Sequence, residues 1–312
     1  MTLKLFKSSF ILFLFFIQIR SAHSLPIQET YFYTGQVTAD LISRWSSRST
    51  PVNYILELGW PGQPELEQLS KLKFSNSLLT EVSYFPNEDF LASWQKLAEN
   101  KATFVSLGIG LPNIRQIEIL NKIGFEDYLF VLTAYPTEEN AQNLSLLSGN
   151  ITLSFFASRY PRYEEKDGLL AIPSNAKLHF TTDYWPWYSH MDVLNFLPHK
   201  KSLRVKGIFP SGQTLEYLHN IKNLKSITVE TDFDAPYAKD WKQFKNLPVT
   251  WISKDHIPSE RGLSAFEGSF SSTTQRKLIL DLDWPLSPNE KERIESSPIP
   301  TNWIHQAPQF KY

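Results

Sequence analysis

Short apolar runs recur along most of this chain, and in the clearest of them apolar and polar residues alternate. A period of two places successive side chains on opposite faces of an extended strand, so that one face is buried. The pattern therefore predicts a β-strand at each of these runs. The best copies are LRVK at 203–206, ITVE at 227–230 and LILD at 278–281.

Most of the apolar runs end in a bulky residue followed by proline, as in Tyr160-Pro161 and Trp284-Pro285. When looser copies are included, successive prolines are separated by 22 to 27 residues. A period in this range is typical of repeat architectures. The prolines that define it are Pro61, Pro86, Pro112, Pro136, Pro161, Pro186, Pro210, Pro236, Pro258, Pro285 and Pro308.

A helix-like segment follows many of these prolines. Residues 87–99 begin with a capping asparagine and acidic residues, and their apolar positions recur every three or four residues. The segment 114–123 repeats this stripe, and 287–290 is a capping box with proline at the first helical position. Two stretches differ: 162–176 predicts a short helix or none, and the small, polar stretch 262–274 predicts an inserted loop.

The repeating unit is therefore strand, proline turn and helix, about 25 residues long and repeated about ten times. Such units can stack as an open solenoid or close into a ring, as in the eight-stranded β/α barrel. Ten units exceed eight, and a barrel of that kind uses roughly 30 residues per unit. We therefore expect an α/β fold in the form of an open right-handed solenoid with a parallel sheet, with a TIM-like β/α barrel as the alternative.

One unit also resembles a known repeat family. The spacing of Leu215, Leu218, Ile221, Leu224, Ile227 and Val229 is similar to that of a leucine-rich repeat, and the period fits from residue 52 to residue 308. The usual asparagine ladder of such repeats is absent. The resemblance implies a curved solenoid whose sheet offers a concave binding surface.

The N-terminus has the features of a secretory signal. Lys4 and Lys7 precede an apolar run from Phe10 to Ile19, and small residues around Ser24 offer a cleavage site. The run is too short for a membrane span, which needs about 20 residues. We predict a signal peptide at 1–24, an N-terminal cap at 25–51 and a single repeat domain at 52–312. The protein is then exported to a periplasmic or extracellular space, with no membrane span after cleavage.

Composition narrows the possible chemistry. The chain has 31 basic and 32 acidic residues, which argues against a nucleic-acid partner. It has no cysteine, which excludes disulfides, thiol catalysis and cysteine-ligated metals. No pair of histidines has the spacing of a helical zinc site, so we predict no metal and no cofactor. Asn143 and Asn150 lie in glycosylation acceptor triplets.

Two groups of residues are candidates for function. The aromatic residues before proline would form a row that either packs between strand and helix or holds sugar rings or a peptide. The acids near strand ends would be solvated charges in an open stack, or a catalytic set in a barrel. We single out as ligand-binding candidates Asp183, Trp185, Trp187, Arg204, Lys206, Glu230, Asp281 and Asp283.

Three hypotheses for function follow. The leading one is an exported repeat protein that binds a protein or a polysaccharide through its extended sheet surface. The first alternative is a β/α-barrel glycoside hydrolase that uses strand-end carboxylates. The second is a structural protein of the envelope. No catalytic signature is visible, so the sequence argues more for binding than for an enzyme and leaves catalytic residues and the partner's identity open.

Overall fold

The structure is a computed structural model that describes residues 28–47, 53–59, 61–71, 78–210, 212–231, 247–268, 275–282 and 284–306. The predicted signal peptide at 1–24 lies outside the described residues. Within them, twelve strands alternate with helices. The strands are β1 (Gln28–Thr34), β2 (Asn53–Gly59), β3 (Leu78–Val82), β4 (Thr103–Leu107), β5 (Asp127–Leu132), β6 (Asn150–Ser158), β7 (Lys177–Thr182), β8 (Lys200–Lys206), β9 (Leu224–Thr231), β10 (Val249–Lys254), β11 (Arg276–Asp281) and β12 (Thr301–Gln306).

Short helices connect these strands. They are α1 (Ala39–Ser46), α2 (Gln63–Leu69), α3 (Leu91–Glu99), α4 (Ile114–Ile123), α5 (Glu138–Gln142), α6 (Lys166–Leu170), α7 (Tyr188–Phe196), α8 (Gln213–His219), α9 (Glu260–Gly268) and α10 (Pro288–Glu295). Single 3₁₀ turns precede α3 and α6 and follow α5. The predicted short helix in 162–176 is confirmed, whereas the loop predicted at 262–274 is partly wrong because α9 occupies its first half. Leu263 and Phe266, three residues apart, anchor α9 by burial.

Local sequence explains where the helices begin and end. The side chain of Asn113 accepts a hydrogen bond from the backbone N–H of Gln116, and the Gln116 side chain accepts one in return, which forms a capping box for α4. Gly124 then ends α4 in the left-handed conformation, with φ of 82°. Ser287 and Glu290 cap α10 in the same reciprocal way, as the sequence predicts.

The parallel α/β repeat architecture is confirmed, and the strand pairing decides how it closes. Each strand pairs in parallel with its sequence neighbours, and β1 also pairs in parallel with β12, with Gln28 opposite Asn302 and Phe32 opposite Gln306. The open ends that we expected therefore meet, and the sheet is a closed barrel of twelve strands instead of eight. Units of about 25 residues suffice because the α-helices are only five to ten residues long.

The segment 25–51, predicted as an N-terminal cap, supplies β1 and α1. β1 is hydrogen-bonded on both sides, to β12 and to β2, so it has no exposed sheet edge. The ring leaves no terminal strand to shield, and closure removes the unpaired edges that an open sheet must protect. This segment is thus a further strand–helix unit of the same ring.

The outward faces of the strands pack against the helices in a large aromatic core. Phe104, Phe130 and Phe155 are fully buried there. The aromatic residues before proline join it: Tyr160, Trp185 and Phe209 are buried. The indole N–H of Trp185 donates a 2.9 Å hydrogen bond to the carbonyl of Ile208, which ties two neighbouring turns together. Packing between strand and helix, the first of the two roles considered for these residues, applies to these three.

A second regularity appears at the ends of alternate strands. The even-numbered strands β2 to β10 each end at or just before a residue with positive φ, namely Gly59, Gly108, Ser158, Gly207 and Asp255. These residues are two units apart, so the structure repeats in pairs of strands. The left-handed residue turns the chain away from the strand direction. One of the three residues before it then has its side chain at the barrel opening.

Candidate functional site at the carboxyl-terminal mouth of the barrel

The interior of the barrel has two chemically different sides. Because side chains alternate along each strand, every second residue points inward. Five inward residues of β1, β2, β4 and β5 are apolar and buried, and we call them the apolar wall: Phe32, Ile55, Val105, Leu129 and Val131. The same strands also turn polar residues inward, including Thr30, whose hydroxyl donates a hydrogen bond to Asn302 Oδ1, and Glu57 at the mouth. The inward residues of β6 to β9 are polar and buried, and we call this side the polar wall: Thr152, Ser154, His179, Thr181, Ser202, Arg204, Thr228 and Glu230.

The carboxyl-terminal opening is lined by inward residues near the ends of the even-numbered strands. All five are partly exposed, and we call them the mouth residues: Glu57, Leu107, Phe156, Lys206 and Lys254. Below them the inward side chains are buried, so the interior is a packed core and the mouth is where solvent reaches it. In β/α barrels, functional residues gather at this end of the strands, and that analogy places the candidate site here.

On the polar side of the mouth, four charged residues form one group, which we call the charged cluster: Arg204, Lys206, Glu230 and Lys254. Arg204 Nη2 donates a hydrogen bond to Glu230 Oε2, and both side chains are buried. Lys254 Nζ lies 4.0 Å from Glu230 Oε1. Lys206 is opposite Glu230 in the strand register, and its Nζ lies 5.0 Å from the centre of the Phe156 ring.

The charged cluster has three cations and one carboxylate, and a second buried carboxylate, Asp281, lies opposite Lys254 in the register. Burial raises the pKa of Glu230, but the charges of Arg204, Lys206 and Lys254 outweigh burial and hold that pKa below its usual value. Burial lowers the pKa of Lys206, and the attraction of Glu230 and of Asp183 does not fully offset it. Glu230 is therefore ionised, whereas the ammonium form of Lys206 is destabilised.

Several buried polar atoms beneath the mouth have no hydrogen-bond partner among the described residues. Arg204 is only 3% exposed, yet its Nε and Nη1 atoms have no acceptor there. The hydroxyls of Thr181 and Thr228, and deeper in the barrel that of Ser154, are also unpaired within this part of the chain. Buried polar groups are nearly always satisfied by protein, water or a ligand. The polar wall thus has hydrogen-bonding capacity that its own side chains do not use.

Exposed aromatic residues stand on the rim beside the charged cluster. Trp187 and Tyr188, after β7, are 68% and 71% exposed, and Ile208, after β8, is 73% exposed. The Trp185–Ile208 hydrogen bond connects their two turns, and the backbone N–H of Trp187 donates to His190 Nδ1 at 2.9 Å. Exposed aromatic side chains thus follow β7, the strand that pairs with β8.

His179 lies deeper in the polar wall. It is in register with Ser154 and Ser202 on the flanking strands, and Ser226 donates a 2.7 Å hydrogen bond to Ser202. Burial, together with the nearby charge of Lys177, lowers the pKa of His179 to about 3, so the imidazole is neutral near pH 7. Asp183, one of the ligand-binding candidates, is exposed beyond the end of β7.

The structure brings together some of the predicted site residues and separates others. Arg204, Lys206 and Glu230 form the charged cluster, and Asp183 is close enough to affect the pKa of Lys206. Asp281 is buried on β11, opposite Lys254 in the register. The remaining three differ in place: Trp185 is packed in the outer core, Trp187 is exposed on the rim, and Asp283 lies outside the described residues.

The sequence reasoning missed Lys254. It belongs to the strand WISK before a looser copy of the proline phrase, where its alternation with Thr250 and Ile252 would have placed it on the inward face. Its importance comes from Glu230 and Lys206 on the two preceding strands, which only closure and register bring to it.

The described part of the chain has neither a cluster of metal ligands nor a membrane-spanning helix. No group of three or more histidine, aspartate or glutamate residues there could hold a metal ion. None of its helices is long and apolar enough to cross a membrane.

Comparisons with known proteins found no match among family models, curated proteins or solved structures. The resemblance to leucine-rich repeats thus stays a prediction, and the argument for function rests on the geometry of the mouth.

Proposed function

We propose that the protein binds an anionic ligand at the carboxyl-terminal mouth of the barrel. The observation that carries the proposal is the charged cluster, in which Lys206 and Lys254 reach the mouth above the buried Arg204, and Glu230 is hydrogen-bonded to Arg204. A carboxylate, phosphate or sulfate group would accept hydrogen bonds from the two lysines. Charge-assisted hydrogen bonds of this kind are among the strongest in proteins.

The rim indicates what the rest of the ligand is like. Trp187 and Tyr188 are exposed just after the end of β7, the strand that pairs with β8. Exposed aromatic faces bind apolar or ring-shaped groups with little loss of side-chain entropy. We therefore infer a ligand with an anionic group at one end and a flat body, such as an acidic sugar or the acidic end of a polysaccharide.

This proposal modifies the leading expectation from the sequence. A macromolecule cannot lie along the inner face of the sheet, because that face encloses the packed interior of a closed barrel. The proposed binding site is therefore the mouth instead of the sheet face. Only a terminal group of a larger partner would enter it. A protein or polysaccharide partner remains compatible with the proposal if its anionic end is what the mouth receives.

The glycoside hydrolase alternative has less support. A hydrolase of that class needs one ionised carboxylate and one carboxyl group with a raised pKa on either side of the scissile bond. Glu230 is ionised and bonded to Arg204, and Asp281 is buried. Burial does raise the pKa of Glu57, but Glu57 lies on β2, on the apolar side of the ring and far from β9.

The ligand would be met outside the cytoplasm if residues 1–24 act as a signal peptide, as the sequence predicts. N-terminal sequencing of the protein purified from its native source tests this point. A mature chain that begins near Leu25 supports export, and one that retains Lys4 and Lys7 argues against it.

The binding proposal is tested by titrating the purified protein with phosphate, sulfate and glucuronate, with glucose as the uncharged counterpart of glucuronate. Calorimetry and the fluorescence of the exposed Trp187 report binding. We expect glucuronate to bind and glucose to bind at least ten times more weakly, with affinity falling as salt rises.

A matched pair of variants locates the site. Lys206→Met combined with Lys254→Met removes the two mouth cations, whereas Lys200→Met removes an exposed cation from the opposite end of the same strand, β8. We expect the double variant to lose binding at least tenfold and Lys200→Met to keep it. Equal affinity in both, or no binding of any of the three anions to the unaltered protein, would overturn the proposal.

A further inference from the structure

Lys206 has surroundings unlike those of an ordinary surface lysine. It is the last residue of β8, it points inward, and it is half-buried at the mouth. Its Nζ lies over the ring of Phe156, and no described residue accepts a hydrogen bond from it. The position thus combines access from solvent with poor solvation of the charged form.

The neighbouring charges add to this effect. Arg204 and Lys254 are like charges near Lys206, and the opposing carboxylate of Glu230 is already bonded to Arg204. An ammonium group that is partly buried among other cations gives up its proton more readily, and burial lowers the pKa of Lys206 accordingly. A lysine amine activated in this way is a nucleophile toward carbonyl groups.

We propose that the Nζ amine of Lys206 condenses with the carbonyl group of an anionic carbonyl compound, such as a 2-oxo acid, to form a Schiff base. This deepens the proposed function and rests on it, because Lys254 would hold the carboxylate while the adjacent carbonyl carbon faces Lys206.

The step balances without any further reactant. The neutral amine attacks the carbonyl carbon, so a C–N bond forms while the C=O π bond breaks, and proton transfer from nitrogen to oxygen gives a carbinolamine. The second proton of the nitrogen and the hydroxyl group then leave as water, and a C=N bond remains. Hydrolysis reverses the sequence and returns the amine.

The test is reductive trapping of the full chain at pH 7.5. Glyoxylate is the anionic carbonyl probe, formaldehyde is the uncharged one, and cyanoborohydride reduces any imine to a stable amine. Peptide mass spectrometry then measures the labelling rate of each lysine. We expect glyoxylate to label Lys206 at least ten times faster than the exposed Lys200 on the same strand, and sulfate to slow the labelling of Lys206 alone.

Two variants separate reactivity from anion capture. Lys254→Met is expected to slow glyoxylate labelling of Lys206 severalfold and to leave formaldehyde labelling within about twofold, because only the first probe needs a cation beside it. Lys206→Arg keeps the charge and is expected to lose the label at this position while Lys200 is labelled as before. An unchanged far-UV circular dichroism spectrum shows that the variant is folded.

The possible outcomes distinguish the two proposals. If formaldehyde prefers Lys206 but glyoxylate does not, the amine is activated and the anion site is wrong. If sulfate or glucuronate binds at the cluster but neither carbonyl probe prefers Lys206 over Lys200, anion binding stands and the Schiff-base proposal is overturned. A rate for Lys206 that rises with pH only as that of Lys200 does would also overturn it.

Discussion

The two walls of the barrel are built from strands of similar length and spacing, yet they fill the interior in different ways. The apolar wall packs Phe32, Val105 and Leu129 without any polar atom to satisfy. The polar wall buries Arg204, Glu230 and a series of hydroxyls, some of which have no partner in the described part of the chain. Unpaired buried polar groups destabilise a protein. The difference between the two walls therefore indicates that the polar wall has a role other than stabilising the fold.

The largest expected effect comes from removing one residue of the buried ion pair between Arg204 and Glu230. Glu230→Leu leaves Arg204 buried without its carboxylate, and we expect the free energy of unfolding to fall by about 3–5 kcal/mol. Replacing both residues, as Arg204→Met with Glu230→Leu, should restore stability to within about 1 kcal/mol of the unaltered protein or above it. Urea denaturation measures both changes. An equal loss in the single and double variants would mean that the pair itself stabilises the barrel.

Acid should weaken the polar wall through His179. Because burial lowers its pKa to about 3 from the ordinary 6.5, the unfolded chain binds a proton between these values that the folded chain does not. The stability from the neutral imidazole is therefore present above pH 6.5 and lost as the pH falls toward 3, at about 1.4 kcal/mol per pH unit. Urea midpoints from pH 6.5 to 3.5 test this. His179→Gln should flatten the curve, and the same change at the exposed His219 should not.

Exchanging a hydroxyl for a methyl group in each wall gives a more local contrast. Val105→Thr places a hydroxyl in the apolar wall, and we expect a loss of about 1–3 kcal/mol. Thr228→Val removes a hydroxyl that has no partner within the described residues, so stability should stay within about 1 kcal/mol or rise. Thermal or urea unfolding measures the change in the free energy of unfolding for each of the two variants. A cost at Thr228 equal to that at Val105 would show that its hydroxyl is bonded in solution.

The smallest effect concerns the strand ends. In the apolar wall β2 and β4 end at Gly59 and beside Gly108, whereas β6 ends at Ser158 with φ of 51°. A left-handed conformation costs a residue with a side chain about 1–2 kcal/mol, so Ser158→Gly should raise stability by about 1 kcal/mol. Gly108→Ala should lower it by a similar amount, through strain alone because no atom lies within 4 Å of the added Cβ. Unfolding free energies check both, and a destabilising Ser158→Gly would contradict the assigned strain.

Much of the fold could be predicted because its signals are local. Alternation in LRVK, ITVE and LILD predicted β8, β9 and β11, and the capping box at 287–290 predicted the start of α10. The helix α9 was missed because its sequence is small and polar, and only the burial of Leu263 and Phe266 against neighbouring units stabilises it. A local pattern does not show which contacts a distant segment supplies.

The candidate site shows the same limit. The sequence singled out Arg204, Lys206 and Glu230 as polar residues of strand faces, which is a local property. It could not include Lys254, nor show that Arg204 and Glu230 are buried, because these facts depend on which strands are neighbours and on which side of the sheet faces the interior.

The amino-acid sequence by itself determined the repeating unit, the parallel α/β class and the inward or outward direction of alternate residues, since each follows from periodicity within a few residues. Only the tertiary structure decided that the sheet closes, because closure is set by the small rotation between neighbouring units summed over the whole ring. That one pairing, between β1 and β12, turns the expected open binding face into a packed interior and leaves the mouth, with its charged cluster, as the place where a ligand can be received.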